Sequence, residues 1–172
     1  IKGVKGNKVS FDGIVTTMKE EDPDKEEHTE TTNYERALDI DTALATVSYD
    51  RDNTHYYREY FASYPDNVIA MKLTAEEIKG SEGEMRPLEF EVSFPVDQPG
   101  DKSLGKEVTY TTEDDSIIVA GKMKDNDLKL NGRLKVVTKD GEVTPVEGKE
   151  GTLLVSDATE VYIYVTADTD YE

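Results

Sequence analysis

Apolar and polar positions alternate in short runs along most of this chain, and no long run repeats at the spacing of a helix face. The densest block spans residues 34–74. Over residues 43–49, Ala43, Ala45, Val47 and Tyr49 share one face, and Leu44, Thr46 and Ser48 the other. Over residues 54–61, Tyr57 and Phe61 lie opposite Tyr56 and Tyr60. Between the two runs, Asp50-Arg51-Asp52-Asn53 is turn chemistry, because Asn and Asp tolerate left-handed backbone and bond their own main chain. A second turn, Tyr64-Pro65-Asp66-Asn67, leads into an extended run over 68–74. The pattern predicts a three-stranded meander.

The remaining runs are also short. Strands are expected near 9–11 and 13–17, interrupted by Gly3, Gly6 and Gly13. Residues 20–30 are almost all charged and read as a solvated loop containing His28, which is a bystander there rather than a ligand. Thr74-Ala75-Glu76-Glu77 has the capping-box pattern, so a turn or two of helix is expected over 74–78. Residues 88–95 alternate cleanly, with Leu88, Phe90, Val92 and Phe94 on a dry face and Glu89, Glu91 and Ser93 on a wet one. A loop over 97–106 follows, then a hairpin of 108–112 and 116–120 around Glu113-Asp114-Asp115. Lys139-Asp140-Gly141 predicts another hairpin, joining 128–138 to 142–146, since Asp-Gly is a strong signal for a tight turn. Strands over 152–155 and 161–166 close the chain, joined through residues 156–159.

This spacing of strands predicts an all-β fold, an antiparallel β-sandwich, with one domain over residues 1–172. Phe61, Val68, Ile69, Phe90, Phe94, Leu134, Val136, Val161 and Ile163 are its expected core.

Particular wording in these strands resembles a known family. Tyr34-Glu35-Arg36-Ala37-Leu38-Asp39-Ile40-Asp41, the run 43–49, Tyr57-Arg58-Glu59-Tyr60-Phe61-Ala62-Ser63-Tyr64-Pro65-Asp66 and the closing stretch 158–171 are similar to the amino-terminal β-domain of glycoside hydrolase family 95, chiefly α-L-fucosidases. The resemblance covers roughly residues 34–74 and 129–171. It implies a super-sandwich whose first strands lie outside this chain, followed in the same polypeptide by an (α/α)6 barrel that carries the catalytic carboxylates. It therefore implies a non-catalytic supporting domain, with the barrel as its partner and a carbohydrate as the substrate of the parent enzyme. The Trp-Arg opening and Gly-Asn-Gly-Arg segment usual in that family are absent, so no catalytic residue of the family is carried onto a position here.

Composition adds limits. With 20 basic and 38 acidic residues the formal charge is −18, a surface that repels nucleic acid phosphates and anionic lipid. No apolar run approaches a membrane span, and without cysteine there is no disulfide or thiol chemistry. The compartment stays open, with extracellular or cell-surface placement favoured over cytoplasmic. Asp50-x-Asp52 and Asp125-x-Asp127 begin like calcium loops but lack the glycine and glutamate that complete them. A glycosidase needs two carboxyl groups across one sugar, and so many acids single out no pair. Glu59 beside Arg58 is the tempting candidate, read more simply as a strand carboxylate that faces solvent or pairs with an Arg. No catalytic, cofactor-binding or metal-ligating residue is assigned, and no cofactor is expected. Two alternatives are a stand-alone carbohydrate-binding module, which the tyrosines suggest and the lack of Trp opposes, and a structural or adhesive surface domain.

Overall fold

The computed structural model describes residues 8–11, 14–18, 30–94 and 105–171. Thirteen strands follow in order: β1 Lys8–Phe11, β2 Ile14–Met18, β3 Thr32–Asp39, β4 Leu44–Arg51, β5 Thr54–Ser63, β6 Val68–Glu77, β7 Leu88–Ser93, β8 Lys106–Glu113, β9 Ser116–Met123, β10 Lys129–Thr138, β11 Glu142–Pro145, β12 Thr152–Ala158 and β13 Glu160–Thr169. They form two antiparallel sheets, one of five strands ordered β1-β2-β7-β12-β11 and one of eight ordered β3-β4-β5-β6-β13-β10-β9-β8. Their facing sides share one core, in which Phe90, Val92, Leu153 and Val155 of the smaller sheet meet Leu73, Leu134, Val136 and Ile163 of the larger. The all-β sandwich expected from the alternation is the observed architecture. Most of the expected charged loop over 20–30, His28 included, and most of the loop over 97–106 lie outside the described residues.

The central meander forms as its pattern predicts. Asp52 and Asn53 both have positive φ, 50° and 59°, and close the two-residue turn that pairs Arg51 with Thr54. That register sets Tyr49 opposite Tyr56, their rings stacked 5.1 Å apart inside the sandwich. The clean alternation of β7 also holds: Leu88, Phe90 and Val92 are buried and pair with Ala158, Val155 and Leu153.

Three expectations are corrected. The helical turn at 74–78 is instead the end of β6, where Thr74 pairs with Tyr57 on one side and Glu160 on the other. Thr74 satisfies its backbone through two ladders and residues 75–77 continue the ladder with β5, which outweighs a local capping preference. Within the expected core, Phe90, Leu134, Val136, Val161 and Ile163 are buried and Ile69 and Phe94 pack against them, but Phe61 is 47% exposed. Tyr56 and Tyr60 hold the inward face of β5, which turns Phe61 outward, and Val68 likewise cannot share a face with its neighbour Ile69.

The Asp-Gly segment does not close a hairpin of β10 with β11. β10 belongs to the large sheet and β11 to the small one. β10 pairs with β13 and β11 with β12, so the four strands form one long hairpin bent across the edge of the sandwich. Between the pairs Thr138↔Val161 and Glu142↔Ser156, one side spans residues 139–141 and the other 157–160, three against four. The extra residue is the kind of bulge that lets strands turn a corner between sheets. Asp140 fastens it, its carboxylate accepting the Thr159 N–H at 2.7 Å and hydroxyl at 2.6 Å. Gly141 has φ 72°, and a Cβ there would lie 2.4 Å from the Ser156 carbonyl oxygen. The left-handed conformation that Asp-Gly favours is present, serving a corner rather than a turn.

Candidate functional surface

Arg58 and Glu59, the adjacent pair that draws attention in the sequence, lie on opposite faces of β5, because neighbouring strand residues alternate. Arg58 points inward, is 7% exposed, and donates to the Tyr49 hydroxyl at 3.0 Å with its guanidinium carbon 5.6 Å from that ring's centroid. Aromatic faces and hydroxyls are favourable neighbours for a planar guanidinium withdrawn from water. Burial raises the Tyr60 and Tyr56 hydroxyls above the ordinary tyrosine range, so both stay protonated at neutral pH. Tyr56 donates to the Arg86 carbonyl at 3.2 Å.

Glu59 points outward and accepts from Tyr57 at 3.4 Å. Its cross-strand partner is Lys72 on β6, whose ammonium reaches Glu160 of β13 at 3.5 Å and lies 5.7 Å from the Tyr162 ring centroid. Tyr162 donates to Glu160 at 2.8 Å, a bond that holds this carboxyl below its usual range. Glu59, Lys72, Glu160 and Tyr162 thus make one polar group across β5, β6 and β13. Beside it runs an apolar row of Phe61, Ala70 and Tyr164, paired in that order across the same strands. The Tyr162 and Tyr164 rings are parallel to within 4°, their centroids 6.5 Å apart.

The two calcium-like segments have other duties. Asp50 accepts from Asn33 at 2.6 Å and from His55 at 2.5 Å, bonds that lower its pKa. Asp52 instead meets Arg51 at 3.5 Å and Arg86 at 3.3 Å. There the β4–β5 turn is tied to the connection after β6, Asn53 donating to the Glu82 carbonyl and Arg86 N–H to the Thr54 hydroxyl. Asp127 faces Lys122 at 3.6 Å. Among the described residues, no group of three or more His, Cys, Asp or Glu converges as a metal site, and no helix is long and apolar enough to cross a membrane.

Sequence reasoning missed the outward row. Its signal was present as uninterrupted apolar runs, Tyr60-Phe61, Ile69-Ala70-Met71 and Ile163-Tyr164-Val165, since such a run must turn apolar side chains to both faces.

The family model described as the glycosyl hydrolase family 65 N-terminal domain matches residues 16–172. Alpha-L-fucosidase 2 of Arabidopsis thaliana is 45% identical over 62 residues, which are 36% of this chain and 6% of that protein. Among solved structures, a putative kojibiose phosphorylase from the human microbiome superimposes with a TM-score of 0.55 at 11% identity, over 83% of this chain and 20% of that one. At that identity the likeness is one of fold. The chain spans a small part of both proteins. A β-sandwich at the amino-terminal side of a larger carbohydrate enzyme agrees with the resemblance in the strands, the matching model carrying the number 65 rather than 95. The chain belongs to the glycosyl hydrolase family 65 N-terminal domain family.

Proposed function

We propose that this chain is the non-catalytic, supporting β-domain of an α-L-fucosidase-like glycoside hydrolase of the family 95 type, whose (α/α)6 barrel performs an inverting hydrolysis. The observation that carries the reading is the match of nearly the whole chain to an N-terminal domain, joined to a fucosidase likeness within it. The site chemistry supports it. Glu59 and Glu160, two outward carboxylates of the central strands, are bonded to Tyr57 and Tyr162 and gathered around Lys72. An inverting hydrolase needs its acid raised in pKa, a role that Glu160, held low by the Tyr162 hydroxyl, does not suit.

The test is a side-by-side assay of the purified 172-residue chain and the full-length polypeptide, on an aryl α-L-fucoside and a 2-linked fucosyl oligosaccharide. Turnover is expected from the full-length protein and none from the chain alone. Activity in the short chain that vanishes on Glu59→Gln or Glu160→Gln would make this domain the catalyst and end the supporting role.

A further inference from the structure

The two sides of β3, β4 and β5 differ in charge. Their outward positions carry the acids Glu35, Asp39, Asp50 and Glu59, whereas their inward positions hold Arg36, Arg51 and Arg58 and no acid. One cross-strand row on the inward side reads Leu73, Arg58, Val47, Arg36, from β6 to β3. Exposure rises along it, from 3% at Leu73 and 7% at Arg58 to a half-buried Val47 and an exposed Arg36. All eight residues of β3 are exposed, so the covered core ends between β5 and β3, and the last strands project as a shelf. Among the described residues, the ion pairs of arginine are those of Arg51 and Arg86 with Asp52, and neither Arg58 nor Arg36 has one. The Arg58 guanidinium donates to the Tyr49 hydroxyl, with the Tyr60 hydroxyl also in reach. These neutral groups ease its burial but supply no counter-charge. With 38 acidic residues against 20 basic ones, that lack reflects this face and not a scarcity of carboxylates.

We propose that this shelf binds a carboxylate-bearing sugar, a uronic acid unit, with its carboxylate held between Arg58 and Arg36. The two arginines stand two strands apart, about 10 Å at the backbone, on either side of Val47. Side chains of that length close on one carboxylate between them, and each guanidinium offers the planar pair of donors that matches it. Tyr34, 62% exposed on the same side of β3, offers a ring against which the apolar face of a pyranose can lie. A neutral sugar would leave both positive charges unanswered. The formal charge of −18 does not forbid an anion here. At physiological salt, exposed charges farther off than about 8 Å are largely screened, and the acids of these strands lie across the sheet. The inference concerns this domain alone and does not rest on the supporting role proposed above.

The experiment is isothermal titration calorimetry of the full-length polypeptide with methyl β-D-glucuronide, beside methyl β-D-glucoside and inorganic phosphate. The glucuronide is expected to bind, and the glucoside and phosphate to bind at least about tenfold more weakly, the scale of one charge-assisted hydrogen bond. Arg36→Gln, at an exposed position, and Arg58→Lys, which keeps the charge and loses the planar fork, should each weaken the glucuronide by a similar factor. No glucuronide binding, or binding that either variant retains in full, overturns the proposal. Phosphate bound as tightly would make the shelf a general anion site, and a glucoside bound as tightly would leave the arginines without a part; both also overturn it. Should Arg58→Lys fail to fold, Arg36→Glu takes its place, its reversed charge expected to abolish binding. The titration reads binding and not turnover. A protein that binds the glucuronide and cleaves no fucoside defeats the functional reading alone, and an active enzyme that does not bind it defeats this inference alone.

Discussion

Two phenylalanines of the same chain meet opposite fates, and period-two geometry decides which. Phe90 is 3% exposed between Val155 and the core of the larger sheet, so Phe90→Ala should cost about 3–5 kcal/mol. Phe61→Ala, on the outer face, should stay within about 0.5 kcal/mol in the 172-residue chain. Urea unfolding of both variants checks the pair, and a loss below about 1 kcal/mol at Phe90 would place its face in water. The sequence distinguished the faces of β7 because glutamates mark the wet one. It did not distinguish those of β5, where tyrosines occupy both sides. A tyrosine turns inward only if its hydroxyl finds a partner, and the partners of Tyr56 and Tyr49 are the Arg86 carbonyl and the Arg58 guanidinium. Of these, the Arg86 contact lies outside any local pattern.

At the level of elements, positions of strands were largely legible and their destinations were not. The turns at Asp52-Asn53 and around Asp114 carry their conformation in the residues themselves. Asp140-Gly141 carries its conformation too, yet whether it closes a hairpin or bends a strand into another sheet depends on where β12 and β13 lie. The Thr74 segment shows the same limit, a local helix preference overruled by the ladder with β5 and, at Thr74, by β13 as well. The corner makes a prediction of its own. The Asp140 carboxyl lies below its ordinary 3.8 because Thr159 bonds the charged form. A depressed carboxyl contributes stability above its unfolded value, and that contribution is lost as pH falls through the lower folded one. Asp140→Asn should therefore flatten the loss of stability on acidification below about pH 3.8, read as urea midpoints on either side of that value. An unchanged acid slope in Asp140→Asn would mean that the corner bond does not bias the carboxyl.

For the whole molecule, the sandwich, its strand-rich content and its place in a carbohydrate-enzyme family were readable, because alternation reports layers and the family wording lies in the strands themselves. The outer strip was readable only in retrospect, since consecutive apolar residues do not say which face is the inner one until both sheets are assembled. The bent hairpin of β10 to β13 bears on how the chain assembles in time. Sandwiches usually wait for distant segments to meet, which slows them. Here a single segment of 41 residues, 129–169, supplies neighbouring strands to both layers, so closure at its tip can zip through the corner and start both sheets together. The corner would then be formed at the barrier to folding. Gly141→Ala, destabilising by well over about 0.6 kcal/mol through its positive φ and the clash of a Cβ with the Ser156 carbonyl, should slow refolding more than it speeds unfolding. A stopped-flow series in which the whole effect fell on the unfolding limb would put the start of folding elsewhere, with the corner among the last parts to set.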